Sequence, residues 1–132
     1  MSELEKVRKF FRGDVFATLS TGAVIEEIGD KWARCSLALD SRHRNAANQV
    51  MGGAIFTLAD FTFAVAANRP DSPITVTAST NISFMGTVKG NKIIAEARLL
   101  KDGKRNCFYE ISVKDELGNL IAVANTVGSH LG

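Results

Sequence analysis

Several residue types that mark specialised proteins are scarce in this chain of 132 residues. It contains two prolines and two cysteines, and its charges nearly cancel, leaving a net charge of +2. Few prolines together with 45% hydrophobic residues exclude disorder of the whole chain. The balanced charge gives no electrostatic reason to expect nucleic acid or an anionic membrane as a partner.

The cysteines also lack the spacing of a metal or disulfide framework. Cys35 and Cys107 lie far apart in alternating apolar segments, with no CxxC motif and no histidine at metal-ligand spacing. We therefore expect two buried free thiols and no metal site. No cofactor is expected either. The N-terminal segment has no apolar signal core, and no uncharged apolar run approaches the roughly 18 residues of a membrane span, which together predict a cytoplasmic protein.

The length predicts one domain, residues 1–132, with little room for a deep pocket walled by a single chain. Hydrophobic spacing predicts an amphipathic helix over residues 2–12. Alternating residues predict a hairpin of two strands, 23–28 and 31–39, around a turn that contains Gly29.

The second half of the chain predicts a central helix and further strands. Residues 53–68 are apolar on nearly every side, which indicates a helix wrapped by other structure and ended before Pro70. Four strands with short turns then form a predicted antiparallel meander, over residues 74–85, 92–101, 104–114 and 120–128. The fold class is therefore α+β, with an antiparallel sheet wrapped around one central helix.

The first strand of the predicted meander has one apolar and one hydroxyl-rich face. Simple alternation puts Val76, Ile82 and Phe84 on the apolar face and Thr75 and Thr77 on the other.

Asp60 is the only charged residue between Ala46 and Asn68, in the middle of the predicted central helix. A carboxylate removed from water needs a compensating partner or is held neutral more readily than usual. Either a structural role, satisfied by a hydroxyl or a subunit contact, or a catalytic role as general base or nucleophile fits this position.

The glycine pair Gly52-Gly53 opens the same helix. Glycines there either make a tight turn or let a substrate reach bare N–H groups at the positive end of the helix dipole, where they can polarise a carbonyl. Because Gly52 lies roughly 12 Å from Asp60 along the helix axis, at 1.5 Å per residue, the two cannot act on one carbonyl within one chain. A two-fold dimer that pairs the glycine of one subunit with the aspartate of the other removes this difficulty.

Small or polar residues also recur along this helix at spacings of three and four. They form a stripe that suits either a thin ligand arm or close packing against the sheet: Gly53, Thr57, Asp60, Ala64 and Ala67.

The segment from His43 to Asn68 reads HRNAANQVMGGAIFTLADFTFAVAAN. It resembles the signature of the hotdog-fold acyl-CoA thioesterases of the phenylacetate-degradation type, within the 4-hydroxybenzoyl-CoA thioesterase superfamily. Their pattern is H-x-N-x-x-G-x-x-H-G-G followed by a helical aspartate. The resemblance covers nearly the whole chain and implies hydrolysis of an acyl-CoA or aryl-acyl-CoA thioester, without metal, at sites shared between subunits of a homodimer or a homotetramer built as a dimer of dimers.

The resemblance also implies roles for four residues. Asp60 matches the catalytic carboxylate, acting as general base or nucleophile, and Gly52 matches the residue whose backbone N–H polarises the thioester carbonyl. Asn45 matches a loop asparagine that orients substrate or water from the opposite subunit. Thr77 falls where relatives have a hydroxyl near the attacking water.

Two positions depart from the family pattern, because Met51 replaces a histidine and Asn48 replaces a glycine. Met51 cannot hydrogen-bond as imidazole does, which bears on substrate positioning or rate. We expect the substrate to contact Met51, Asn48, Gly53 and the ring of Phe61. Five basic residues near loops are candidates for the phosphates of coenzyme A: Arg42, Arg44, Lys101, Lys104 and Arg105.

Other functions remain open at this point. His43 is interpreted as a structural partner and His130 as part of a frayed tail, so neither is expected to be the base. No GxSxG elbow is present, and a histidine paired with an acid for hydration chemistry is not at the required spacing. The alternative from another class is a non-catalytic acyl-CoA binding or sensing protein of the same fold.

Overall fold

Six antiparallel strands and two α-helices form the fold, which a computed structural model describes over residues 1–132. The helices are α1 (Glu3–Phe11) and α2 (Gly52–Ala67). The strands are β1 (Val24–Gly29), β2 (Trp32–Ala38), β3 (Thr75–Phe84), β4 (Lys92–Asp102), β5 (Asn106–Asp115) and β6 (Leu120–His130). These elements confirm the predicted α+β class, and both predicted helices begin and end within about a residue of their expected bounds.

The order of the strands differs from the prediction. The sheet runs β1-β2-β4-β5-β6-β3, so β3 pairs with β6 and lies at one edge, while β4 pairs with β2 and β5. Only β4, β5 and β6 form a meander. The prediction of a four-strand meander was wrong because the segment between Phe84 and Lys92 crosses from an edge strand into the middle of the sheet, and alternation along one strand carries no information about its partner.

A β-bulge in β3 also overturns the predicted faces of that strand. The pairing register with β6 shifts between Thr77 and Ser79. The extra residue reverses the alternation, so Thr77 lies on the same side as Ile82 and Phe84, facing α2. There the Thr77 hydroxyl donates a hydrogen bond to Asp60 on the helix.

Helix α2 packs against the sheet through one side only. Leu58, Phe63 and Val65 are fully buried between them, and burial of each such side chain contributes roughly 1.5–3 kcal/mol. The opposite side, which carries Thr57 and Asp60, is only half-buried. The sheet therefore wraps around the central helix, as predicted, and leaves the side that carries Thr57 and Asp60 partly open in this chain.

Asn68 and Arg69 end α2 with side-chain hydrogen bonds. The Asn68 amide nitrogen donates to the carbonyls of Ala64 and Thr75, and its oxygen accepts from the Thr75 N–H. The Arg69 guanidinium donates to the last turn of the helix at Val65. The helix thus ends before Pro70, as predicted.

The N-terminal helix α1 closes one end of the core. Ser2 caps it by accepting a hydrogen bond from the Glu5 N–H, and Phe11 packs edge-on against Phe61 of α2 with 5.7 Å between ring centres. From its outer face the Arg8 guanidinium donates two hydrogen bonds to the Ile25 carbonyl of β1, at 2.6 and 2.9 Å. Helix α1 is therefore fixed to the β1 side of the sheet.

Both cysteines are free and buried, as predicted. Burial raises the pKa of the Cys35 thiol to about 12. Neither α-helix has the length and apolar character needed to cross a membrane.

Asp115 organises the turn between β5 and β6. Its side chain is 2% exposed, and it accepts hydrogen bonds from the Asn119 side chain and from the N–H groups of Lys89, Leu117 and Asn119. The Asn119 amide is the largest cause that lowers the pKa of Asp115 from 3.8 to about 2. The ionised carboxylate thus stabilises the turn.

Replacing this carboxylate is expected to remove a pH-dependent part of stability. A lowered folded pKa contributes stability above about pH 4, which is lost as pH falls through about 2. Asp115→Asn is therefore expected to lower Tm at pH 7, and the difference in Tm between variant and wild type should become smaller towards pH 2. Thermal unfolding between pH 2 and 7 measures this, with the exposed Asp71→Asn as control. A gap independent of pH would contradict the role of the charge.

Candidate functional site

Asp60 is the centre of the candidate site. It lies halfway along α2 on the open side of the helix. Its side chain is half-buried in this chain and is not fully removed from water, although the sequence had suggested full burial. The Thr77 hydroxyl donates a hydrogen bond of 2.7 Å to Asp60 Oδ1. One carboxylate oxygen is thereby oriented, and the other has no protein partner.

A small groove runs beside Asp60 along the open side of α2. Its volume is about 210 Å³. It is lined by Asp60 with Asp14, Phe16, Ala17, Phe56, Thr57, Phe61 and Ala64. Apart from the two carboxylates and one hydroxyl, the walls are apolar, so the groove offers a reactive carboxylate beside space suited to an apolar group.

Gly52 and Gly53 begin α2 at the other end of the site. The helix hydrogen bonds start with the N–H groups of Ala54 and Ile55, which both donate to the Met51 carbonyl. The N–H groups of the two glycines therefore have no backbone acceptor, as at the start of any helix. The glycine pair thus offers two free N–H groups at the positive end of the helix dipole.

Phe84 of β3 lies directly against the start of α2. A Cβ atom at Gly52 would come within 3.1 Å of Phe84 Cζ, whereas one at Gly53 would meet nothing within 4 Å. Close approach of this ring is one reason for glycine at position 52. Met51 is 44% exposed and Phe84 52% exposed, so both apolar side chains are open to a ligand or a partner chain.

The loop before α2 is organised by Asn45. Its side-chain oxygen accepts hydrogen bonds from the N–H groups of Ala47 and Gln49, at 3.0 and 3.1 Å. Asn48 adopts a left-handed backbone with φ of 60°, a conformation that asparagine tolerates and that glycine, the residue of the family pattern, adopts freely. Asn45 thus acts within this chain as a loop organiser, and its amide nitrogen remains available.

The remaining candidates are spread over the surface. Phe61 is buried against α1, with part of it reaching the groove. Lys104 and Arg105 are exposed in the β4–β5 turn. Arg42 is engaged by Asp40, with 3.1 Å between Nε and Oδ1, and is thus less free than the others to bind a phosphate.

Within one chain these residues form two groups. One group lies toward the start of β3 and contains Asp60 and Thr77. The β4–β5 turn lies at the same end, because Thr75 pairs with His130 and the His130 N–H donates to the Arg105 carbonyl. Gly52 lies toward the other end, beside Phe84. As predicted from the spacing along the helix, a single chain does not bring the free N–H groups to the carboxylate.

The two histidines have different surroundings. His43 is buried, accepts a hydrogen bond from the Asp40 N–H through Nδ1 and donates through Nε2 to the Thr21 carbonyl, which fits its structural interpretation. The interpretation of His130 as part of a frayed tail was wrong. His130 ends β6, and its ring hydrogen-bonds Thr75 and Asp102.

Several residues near the site were not identified from the sequence, among them Asp14, the second carboxylate of the groove. Phe16 and Ala17 belong to a π-helical turn, Phe16–Thr21, that forms one wall of the groove. Phe84 was placed on the apolar face of β3, but its contact with the start of α2 was not predicted. The apolar residues of this strand all fall at even positions from Val76 to Phe84, so nothing in the pattern indicated the bulge.

Comparison with known proteins gives a consistent assignment. The family model described as the thioesterase superfamily matches residues 47–122, more than half of the chain. A protein of Archaeoglobus fulgidus, provisionally named an esterase, is 30% identical over 92% of this chain and 79% of its own length. Human acyl-coenzyme A thioesterase 13 is 31% identical over 74% of this chain and 71% of its own length.

The fold likewise matches a solved structure. The Escherichia coli PaaI protein from the phenylacetic acid degradation operon superposes with a TM-score of 0.86, covering 99% of this chain and 97% of that one at 20% identity. At that identity the likeness concerns the fold alone, and it confirms the predicted sheet around a central helix.

Proposed function

This chain belongs to the thioesterase superfamily and is a hotdog-fold enzyme that hydrolyses acyl-CoA thioesters, and from that premise we propose that Asp60 carries the chemistry. The supporting observation is the hydrogen bond from Thr77 to one oxygen of Asp60 at the mouth of the apolar groove. The free oxygen of Asp60 acts as general base on a water molecule or as nucleophile on the thioester carbonyl. Thr77 is a positioning residue that fixes the carboxylate.

The Gly52 N–H polarises the thioester carbonyl in this proposal. Negative charge develops on the carbonyl oxygen as the tetrahedral intermediate forms, and a free N–H at a helix start stabilises it. Since Gly52 and Asp60 of one chain are too far apart, the N–H acting with Asp60 is that of Gly52 of the partner subunit.

Strand β3 supplies the surface for this dimer. It is a ten-residue edge strand whose residues after Thr75 are exposed or half-buried, and an unpaired edge is a template for another strand. The other edge strand, β1, is six residues long, and Arg8 of α1 occupies its Ile25 carbonyl. Pairing of two β3 strands is thus favoured over pairing through β1.

The geometry of such a pairing joins the two halves of the site. Antiparallel β3 strands related by a two-fold axis at Asn81 put Thr77 opposite Phe84 of the partner subunit when the extra residue of the bulge is counted. Because Phe84 contacts the start of α2, the same pairing brings the partner subunit's Gly52 toward Asp60. The loop that contains Asn45 leads into Gly52, so the same pairing brings this loop toward Asp60 as well. The free amide of Asn45 can then orient the substrate.

The two ends of the substrate have separate surroundings in this arrangement. Lys104 and Arg105, in the β4–β5 turn at the Thr77 end of β3, are suited to the phosphates of coenzyme A. Phe61 and the other apolar walls of the groove receive the acyl group. A groove of about 210 Å³ favours a short or aromatic acyl group over a long chain. Met51, exposed beside Gly52, contacts the substrate through apolar packing where relatives have imidazole.

Removing the Asp60 charge is expected to abolish hydrolysis. Asp60→Asn should lower kcat by about 10²–10⁴-fold, the range for loss of a general acid–base group. Thr77→Val, which removes a hydrogen bond to a charged group, should lower kcat by roughly tenfold or more, while Thr77→Ser keeps the hydroxyl and most of the activity. Release of free thiol from a panel of aliphatic and aromatic acyl-CoAs measures both. Full activity of Asp60→Asn would reject its role.

The role of the Gly52 N–H can be tested separately from the space that glycine leaves for the Phe84 ring. Gly52→Pro removes the N–H at a first helical position, where proline is tolerated, and Met51 already has the extended backbone that proline requires. Loss of one such donor lowers kcat by about 10²–10³-fold. Gly52→Ala adds the same Cβ beside Phe84 but keeps the N–H, and is the matched control. Equal losses in the two variants would assign the effect to crowding against Phe84.

Mixing two inactive variants tests whether the site is shared. When Asp60→Asn and Gly52→Pro chains are unfolded together and refolded, half of the dimers contain one chain of each kind. Each such dimer has one site with both residues intact, so activity should recover to about a quarter of wild type.

The same experiment has a clear opposite outcome. A site built within one chain gives no recovery on mixing, which would reject the shared site while leaving Asp60 in place. Sedimentation of the wild type adds a second check, since a dimer or a dimer of dimers is expected and an active monomer contradicts it.

A further inference from the structure

A second cluster of reactive side chains lies away from Asp60, at the end of the sheet that holds the β4–β5 turn. It consists of Asp102 on β4, Cys107 on β5 and His130 on β6. The Asp102 oxygen, the Cys107 sulfur and the His130 ring nitrogen all lie within 4.8 Å of one another. No sequence motif indicates this cluster, because its members come from three different strands.

The register of the sheet explains why the three side chains meet. Asp102 is paired with Cys107, and Cys107 with Gly128, two residues before His130 on β6. Residues two apart on a strand point to the same face, so all three donors lie on one face of neighbouring strands. A Cβ atom at Gly128 would lie 2.6 Å from Cys107 Sγ, so the glycine leaves room for the sulfur.

The imidazole of His130 is held by both ring nitrogens. Nε2 lies 2.9 Å from Asp102 Oδ1, and Nδ1 lies 2.7 Å from the hydroxyl of Thr75. Metal-binding histidines are commonly oriented in this way, with one nitrogen on the metal and the other hydrogen-bonded to a neighbouring group. With Nδ1 held by Thr75, Nε2 is the nitrogen that lies at Asp102 and is available to a metal.

From these positions we infer that Asp102, Cys107 and His130 bind one Zn²⁺ ion per chain. Imidazole nitrogen, thiolate sulfur and carboxylate oxygen are the donors that zinc takes, at about 2.0–2.3 Å. Tetrahedral coordination at those lengths puts donors about 3.3–3.7 Å apart, so donors already within 4.8 Å need only a small contraction. When the ion binds, the Cys107 thiol proton is released to solvent, and the neutral imidazole carries its proton on Nδ1, where it donates to the Thr75 hydroxyl and leaves Nε2 free for the metal.

The surroundings leave an entry path and an open coordination position. Cys107 is 1% exposed, whereas the side chains of His130 and Asp102 are 24% and 37% exposed. His130 and Thr75 line a cavity of about 820 Å³ at this end of the molecule. The ion therefore reaches the site from the cavity side, and a water molecule from there completes the fourth position.

Zinc binding at this place ties the β4–β5 turn to the end of β6. An ion that binds the folded chain and not the unfolded chain raises Tm, by roughly 5–10 °C at a hundredfold excess over Kd for a chain of this size. Stabilisation by zinc and thioester hydrolysis are separate readouts, so failure of either proposal leaves the other unaffected.

Cobalt spectroscopy of the full chain, purified without a histidine tag and kept reduced, tests the site directly. Co²⁺ replaces Zn²⁺ in such sites, and we expect visible tetrahedral bands and a thiolate charge-transfer band that saturate at one ion per chain and disappear on addition of Zn²⁺. Absence of the thiolate band, or binding that does not saturate, would overturn the inference without the need for any variant.

Variants then assign the donors. Cys107→Ser should lose the thiolate band and the rise in Tm, and Asp102→Asn, at an exposed position, should weaken Zn²⁺ affinity by at least tenfold. Cys35→Ser is the matched control, because Cys35 is equally buried but has no histidine beside it. Loss of the thiolate band in Cys35→Ser and its retention in Cys107→Ser would contradict the assignment.

Discussion

A six-stranded sheet covers only one side of the helix it curves around, and the site depends on that limit. The sheet buries Leu58, Phe63 and Val65 of α2, which supplies the core. The opposite side of the helix has no second layer in this chain, so Thr57 and Asp60 remain half-exposed along a groove. A charged residue is tolerated in the middle of an apolar helix because it is half-exposed, and the only part of the sheet bonded to it is the Thr77 hydroxyl of the edge strand.

The same limit supports the proposal that the site is shared between two chains. A helix of 16 residues extends about 24 Å, so a group at its start and a group at its middle cannot touch one small carbonyl. The edge strand β3 runs between these two places, with Thr77 bonded to Asp60 near one end and Phe84 packed on Gly52 at the other. A two-fold axis through this strand exchanges its ends, which is the simplest way to bring both groups together.

The sequence predicted the elements well and their arrangement less well. The spacing of hydrophobic residues and the positions of turn residues located both helices and all six strands, because these signals are local. The position of β3 beside β6 and the bulge at Thr77 were missed, since both are properties of pairing between distant segments. The bulge mattered most for the site, because without it the Thr77 hydroxyl would point away from Asp60.

The histidines show the same difference between chain order and spatial order. Their sequence positions suggested a structural loop residue at His43 and a tail residue at His130, and only the first interpretation holds. His130 gains its partners because antiparallel pairing sets the end of β6 beside the end of β4 and the start of β3. In an antiparallel sheet, side chains from strand ends far apart in the sequence converge on one face. A cluster at the ends of strands can therefore form without any sequence motif. Asp60, by contrast, can be identified from the sequence alone, because it is the only charge in an apolar helix.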